Sequence, residues 1–150
     1  MPVLTGGEAR ERFAAARVAR LATTDASGTP HLVPVVFAVD GDTVALAVDH
    51  KPKRTSRLKR LANIDANPSV CLLADRYDED WDLLWWARAD GMARVLPPVG
   101  EPAGGPTCGS AAAARCVALL TAKYGQYAGR PPAGPVVEIS VGRWSGWRAV

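Results

Sequence analysis

The segment Asp49-His50-Lys51-Pro52-Lys53-Arg54-Thr55-Ser56-Arg57 holds the densest chemistry of this chain. With Lys59 and Arg60 it continues a basic run from 51 to 60 that contains no acid. An apolar, strand-like stretch precedes it and a helical pattern follows. Free backbone N–H groups at a helix start, hydroxyls of Thr55 or Ser56 and nearby ammonium or guanidinium groups together suit a phosphate. Pro52 stiffens the approach. Charge alone fits a solvated basic turn equally well, so the residues by themselves leave both readings open. Nucleic-acid binding fits less well, because no aromatic side chains interleave with the charges to stack on bases.

Other catalytic sets are absent from the sequence: there is no GxSxG elbow, Walker A loop, GxGxxG fingerprint, HExxH or EF-hand loop. His31 and His50 read as surface or strand-edge histidines rather than proton carriers. Cys71, Cys108 and Cys116 fall in no metal-ligand spacing and, with two histidines, outline no zinc site. Cys71 and Cys116 read as small apolar residues of a strand and a helix face. No side chain is assigned a catalytic role.

The elements that must position the basic segment follow from periodicity. Residues 8–16 suit a short helix, and Val18–Thr24 reads as a strand ended by the turn formers Asp25-Ala26-Ser27-Gly28-Thr29-Pro30. A second strand is expected from His31 to Val39, then a tight Asp40-Gly41-Asp42 connection into a third at Thr43–Val48. Thr55–Ile64 has helical spacing and stops at Asn67-Pro68. Strands are expected at Ser69–Ala74 and over Leu83–Leu96, the latter one long strand or a pair with Gly91 the place for a bulge, with an acidic turn from Asp75 to Asp82 between them. Residues 97–109 read as a Pro- and Gly-rich loop, Ser110 to about Tyr124 as a helix, 125–135 as irregular, and Val136–Val141 as a last strand with Trp144 and Trp147 just beyond it. Core closure is the expected role of both tryptophans.

Sequential antiparallel strands with a few interposed helices and no βαβ alternation predict a mainly β fold, a small Greek-key or split β-barrel. The 150 residues, 48% apolar and 22% charged, are enough for one domain spanning 1–150 and exclude collagen-like, coiled-coil and disordered classes. No apolar stretch reaches the roughly 20 residues of a membrane-spanning helix, and the first residues lack a basic end and apolar region, so a cytoplasmic location and no membrane partner are expected. The net charge of +3 comes mainly from the one basic segment.

An ordered set of short motifs resembles the flavin and deazaflavin oxidoreductases of the split β-barrel superfamily, related to pyridoxamine 5′-phosphate oxidase, and specifically the actinobacterial branch that uses coenzyme F420. The set comprises Val18-Ala19-Arg20-Leu21-Ala22-Thr23, Gly28-Thr29-Pro30-His31-Leu32-Val33-Pro34-Val35-Val36-Phe37 and Lys51-Pro52-Lys53-Arg54-Thr55. It continues with Asn67-Pro68-Ser69-Val70, Trp85-Trp86-Ala87-Arg88-Ala89-Asp90-Gly91-Met92-Ala93 and Arg143-Trp144-Ser145-Gly146-Trp147.

The resemblance implies an FMN-binding-type split barrel, a homodimer, and a flat cofactor held at the dimer interface. Pro34, Val35 and Val36 would wall the ring; Lys51, Lys53, Arg54 and Thr55, helped by Arg57, would hold the phosphate. Adjacent Trp85 and Trp86 must face opposite sides of a strand, one into the barrel and the other toward the partner's cofactor cleft. It further implies F420-dependent hydride transfer to a small conjugated or heteroaromatic substrate, with FMN as the alternative cofactor. A non-catalytic cofactor carrier and a haem-binding or biliverdin-reducing variant of the barrel are further alternatives.

Overall fold

The computed structural model describes residues 3–47, 59–98 and 108–150. Helix α1 (Gly6–Ala15) is closed at its start by Thr5 and Glu8, each side chain bonded to the other's backbone N–H. Strand β1 (Ala19–Thr24) turns at Asp25, whose carboxylate accepts the N–H groups of Ser27 and Thr29 at 2.9 Å while Gly28 takes a φ of 84°. Those bonds, led by Thr29, hold the Asp25 carboxyl below its ordinary pKa.

The expected second strand is broken. β2 (Pro30–Val35) pairs with β1, whereas β3 (Ala38–Asp40) pairs with β4 (Thr43–Ala47) through a hairpin in which Gly41 has a φ of 58°. After 48–58, outside the described residues, come α2 (Lys59–Ala66), β5 (Ser69–Arg76) and β6 (Trp85–Leu96). The acidic connection from β5 to β6 contains a single 3-10 turn, Trp81–Leu83. The expected helix over Thr55–Ile64 is thus described only from Lys59, and it runs on to Ala66. Helix α3 (Cys108–Lys123), a short α4 (Gly125–Gly129) in the segment read as irregular, and β7 (Val136–Arg148) complete the chain.

Among the described residues all strand pairs are antiparallel, in the order β2-β1-β5-β6-β7-β4-β3. The last strand is more than twice the expected length because β6 pairs along it from Leu96–Val136 to Trp85–Arg148. The bulge near Gly91 is present, and its extra residue is Gly142 of β7, since Asp90 pairs with Arg143 but Gly91 with Val141.

Register separates the two faces of the sheet. Val33, Leu21, Leu72, Ala89 and Trp144 form one row across β2, β1, β5, β6 and β7 on the inner face, where Phe13 of α1 caps them. Small residues line the neighbouring row, Ala74-Ala87-Gly146, so that Leu4 and Ala9 can come close. Helix α2 is anchored to β1 by two amide-to-hydroxyl bonds, Asn63 to Thr23 at 3.0 Å and Asn67 to Thr24 at 2.7 Å. A second apolar cluster lies where Ala112, Ala113, Cys116 and Leu120 of α3 cover Ala38, Ala45 and Val136.

Between β2 and β3 the chain passes from one edge of the sheet to the other, and here side chains replace the ladder. Phe37 is fully buried 4.6 Å from Phe13. The Tyr124 hydroxyl accepts the Phe37 N–H at 3.1 Å, and its proton faces the carbonyls of Phe37 at 2.9 Å and Arg17 at 3.0 Å. The Lys123 ammonium lies 3.8 Å from the Phe37 ring centre and donates to Ala16 O at 2.8 Å. Burial, with Arg17 nearby, pulls Lys123 from 10.5 down to about 8.

Two outcomes follow from this packing. A Cβ at Gly146 would stand 2.7 Å from Trp86 O and 2.8 Å from Leu4 Cδ1. Gly146→Ala should therefore cost about 2 kcal/mol, within the usual range for overpacking, measurable as a midpoint lowered by about 4–8 °C in thermal unfolding. Lys123 releases its proton near pH 8 when folded but near 10.5 when unfolded, so its contribution to stability is lost as pH falls through about 8 and is regained toward 10.5. Thermal scans at pH 7 and pH 10 should show wild type gaining relative to Lys123→Met at the higher pH; a constant difference between the two proteins would contradict this.

Candidate functional site

The split between the two sheet edges opens into a cavity of about 320 Å³. Its walls are Pro34, Val35 and Val36 at the end of β2, Ala47 at the end of β4, Arg60 in the first turn of α2, and Tyr124, Gln126 and Tyr127 at the α3–α4 corner. Each element arrives for a local reason. Pro34 has no N–H to donate, which suits it to the outermost strand. Both Asn–Thr bonds to β1 fix α2 and so place Arg60. The Tyr124 ring meets Tyr127 edge-on at 6.1 Å and carries the Arg17 guanidinium 4.6 Å from its centre. Burial raises the Tyr124 pKa, so the phenol stays protonated and able to donate.

Three expected wall residues, Pro34, Val35 and Val36, are thus brought together. Lys51, Lys53, Arg54, Thr55 and Arg57 lie outside the described residues, but Ala47 and Arg60, on either side of 48–58, both line the cavity. Trp85 and Trp86 do not line it.

These two tryptophans lie at a second cleft, of about 400 Å³, with Leu73, Tyr77, Arg88 and Trp147. Among the described residues the two cavities share no lining residue. Opposed facing of the pair holds: Trp85 packs against the inner core under Arg12 of α1, while Trp86 lies on the outer face beside Arg88, whose guanidinium is 5.7 Å from the ring centre. Trp144 closes the core as expected, its Nε1 donating to Asp42 at 2.9 Å. Trp147 does not: it stands three positions after Trp144 on the same strand, an odd step, so it faces outward, paired with Trp86.

Register joins the two cavities along the outer face. Pro34, Arg20, Leu73, Arg88 and Ser145 form one row across five strands, and Asp75, Trp86 and Trp147 form part of the next. Leu32, 66% exposed, and Leu73, 37% exposed, make this face partly apolar. Ser145 Oγ and Trp147 Nε1 are buried there without a hydrogen-bond partner among the described residues. Among those residues no group of three His, Cys, Asp or Glu is placed to hold a metal ion. Burial raises the pKa of Cys71 and pushes Cys116 up to about 11, which leaves both as thiols.

Sequence reasoning missed Tyr124, Gln126 and Tyr127. Two tyrosines closely following a helix and preceding a Pro- and Gly-rich stretch were the available signal, but the partner of Tyr124 is 87 residues away.

Comparison with known proteins gives the same architecture. The fold is similar to an FAD-binding protein of Mesorhizobium loti (TM-score 0.69, 19% identity, 97% of this chain and 95% of that one). It is similar also to a conserved hypothetical protein of Mycobacterium tuberculosis (TM-score 0.71, 19% identity, 97% and 86%). HutZ, the heme storage protein of Vibrio cholerae, shares it as well (TM-score 0.66, 14% identity, 95% and 92%). No curated protein matches the sequence. The expected mainly β split barrel is therefore the fold of this chain. The profile of the pyridoxamine 5′-phosphate oxidase family matches residues 5–148, nearly end to end, and the chain belongs to that family.

Proposed function

We propose that this chain binds a flavin-type cofactor, coenzyme F420 by preference, and acts as an oxidoreductase on a small conjugated or heteroaromatic substrate. The observation that carries this reading is the cavity at the barrel split: it has apolar and aromatic walls, an outermost strand on one side, and lining residues on both flanks of the basic segment. That donor set fits a flat ring with an anionic tail. Val35, Val36 and the tyrosines would flank the ring, while Lys51, Lys53, Arg54 and Thr55, with Arg57, would hold phosphate. When bound, such a cofactor supplies hydride transfer, which is its own chemistry. The protein's part is to bind, orient and keep water away. Preference for F420 over FMN rests on the resemblance of the Lys-Pro-Lys-Arg-Thr turn and the paired tryptophans to the F420-using branch. It rests also on the surplus base at Arg57, Lys59 and Arg60, which suits a polyglutamyl tail.

A homodimer belongs to the same reading. The outer face carries Leu32, Leu73, Trp86 and two buried donors without a partner among the described residues, and a second copy laid against it would cover the apolar surface and bring the Trp86 cleft to the partner's cavity. A second reading, storage or carriage of the cofactor without turnover, is supported by the fold shared with the heme storage protein.

Three measurements test these statements. Titration of the apo protein with F420 and separately with FMN, followed by fluorescence of its five tryptophans, should give micromolar or tighter binding of F420 with little response to FMN. The reverse preference moves the chain to the flavin branch, and binding without oxidation of the reduced cofactor by any acceptor favours the carrier. Lys53→Ala combined with Arg54→Ala should weaken cofactor binding roughly tenfold or more and leave the circular dichroism spectrum unchanged. Sedimentation at micromolar concentration should find twice the 15.9 kDa chain mass; a species of 15.9 kDa would refute the dimer.

A further inference from the structure

We propose that Tyr124 is the positioning residue of the cavity: its hydroxyl, not its ring, sets the shape of the Val35–Val36 wall by holding the backbone at Phe37. The inference rests on the cofactor reading only for what the wall receives.

At Phe37 the chain has left β2, paired with β1, and has not yet entered β3, paired with β4, so neither ladder offers partners for its peptide groups. Buried amides and carbonyls left unpaired cost free energy comparable to a lost hydrogen bond. Tyr124 supplies both partners from one atom. Its oxygen accepts the Phe37 N–H at 3.1 Å, and its single proton is shared between Phe37 O at 2.9 Å and Arg17 O at 3.0 Å. The hydroxyl thereby ties the crossover to the segment entering β1, while the ring of the same residue lines the cavity beside Val35 and Val36.

Neighbouring contacts fix the tyrosine in turn. Arg17 Nη2 donates to Lys123 O at 3.2 Å and stacks on the Tyr124 ring, and Lys123 reaches back over the Phe37 ring to Ala16 O. The α3–α4 corner and the crossover are thus joined at the hydroxyl and at the ammonium. Removing the hydroxyl leaves the Lys123 contact and the ring in place but frees the peptide groups adjacent to the wall. A ligand that needs the wall in one shape must then order it on binding, which lowers affinity.

Tyr124→Phe in the full chain is the test, with three readouts. Affinity for whichever of F420 or FMN the wild type binds should fall about tenfold. Exchange of the Phe37 amide should accelerate at least about tenfold while the amides of Leu72 and Ala89, in the middle of the sheet, keep their rates. The visible circular dichroism of the bound cofactor should change, because the ring meets a less ordered wall. A merely structural tyrosine would lower the melting temperature and quicken all amides together, with affinity and spectrum unaltered in the folded variant; that result overturns the inference. If Tyr124→Phe does not fold, saturating wild type with its cofactor must slow the Phe37 amide more than Leu72, and equal protection overturns the inference as well. Wild-type protein that binds neither cofactor refutes the proposed function and the ligand-positioning role with it. That failure is distinguishable because it is seen before any substitution is made.

Discussion

The rest of this structure depends on how the chain passes Val36 and Phe37 without a strand partner. Among the described residues seven antiparallel strands form one sheet, and its two outer strands are β2 and β3, consecutive in sequence. Joining both edges by so short a link forces the sheet to curl until its edges approach, and it leaves a gap where the ladder cannot continue. Peptide groups at the gap need other partners. Tyr124 and Lys123 reach it from α3 and its end, and Phe37 itself is driven into the core against Phe13. The candidate site is that same gap seen from outside, so what completes the fold also builds the cavity.

The two faces of the sheet explain why one chain carries two separate clefts. Small and branched residues fill the inner rows, with α1 lying over Ala87 and Gly146. Along the outer rows, cations and apolar groups alternate: Arg20 beside Leu73, Arg88 beside Trp86. Arg20 reaches Asp75 at 3.8 Å and Arg88 reaches Asp90 at 3.1 Å, so these charges balance on the face itself, and as exposed pairs they add little to stability. They leave a surface that is apolar in part, with these two cations balanced on the face itself.

Much of the fold was legible because the information is local. Gly28 and Gly41 mark turns that need positive φ, and both turns are present. Alternation gave most strands to within a residue or two, and the resemblance gave the barrel. The break at Val36–Phe37 was not legible, since His31–Val39 keeps an uninterrupted strand-like character and only the identity of the partners, β1 for one half and β4 for the other, cuts it in two. The length of β7 was missed for a related reason: residues 142–148 contain glycine and charges, and only pairing with β6 makes them a strand. For the site, Pro34, Val35 and Val36 came from the resemblance, while the tyrosine that fixes them comes from a helix end far away in sequence.

The chemistry of the cavity follows from what its walls can and cannot do. Arg60 brings a guanidinium to the cavity, and burial holds Tyr124 in its neutral form. Pro34, Val35, Val36 and Ala47 offer only apolar surface and backbone. Such walls can orient a flat molecule and exclude water from one of its faces. In the proposed reading the bound cofactor supplies the reactivity, and the described walls supply shape. This places the burden of function on the rigidity of the wall, and rigidity at an edge without a ladder is what a single hydroxyl bonded to both peptide groups of one residue provides.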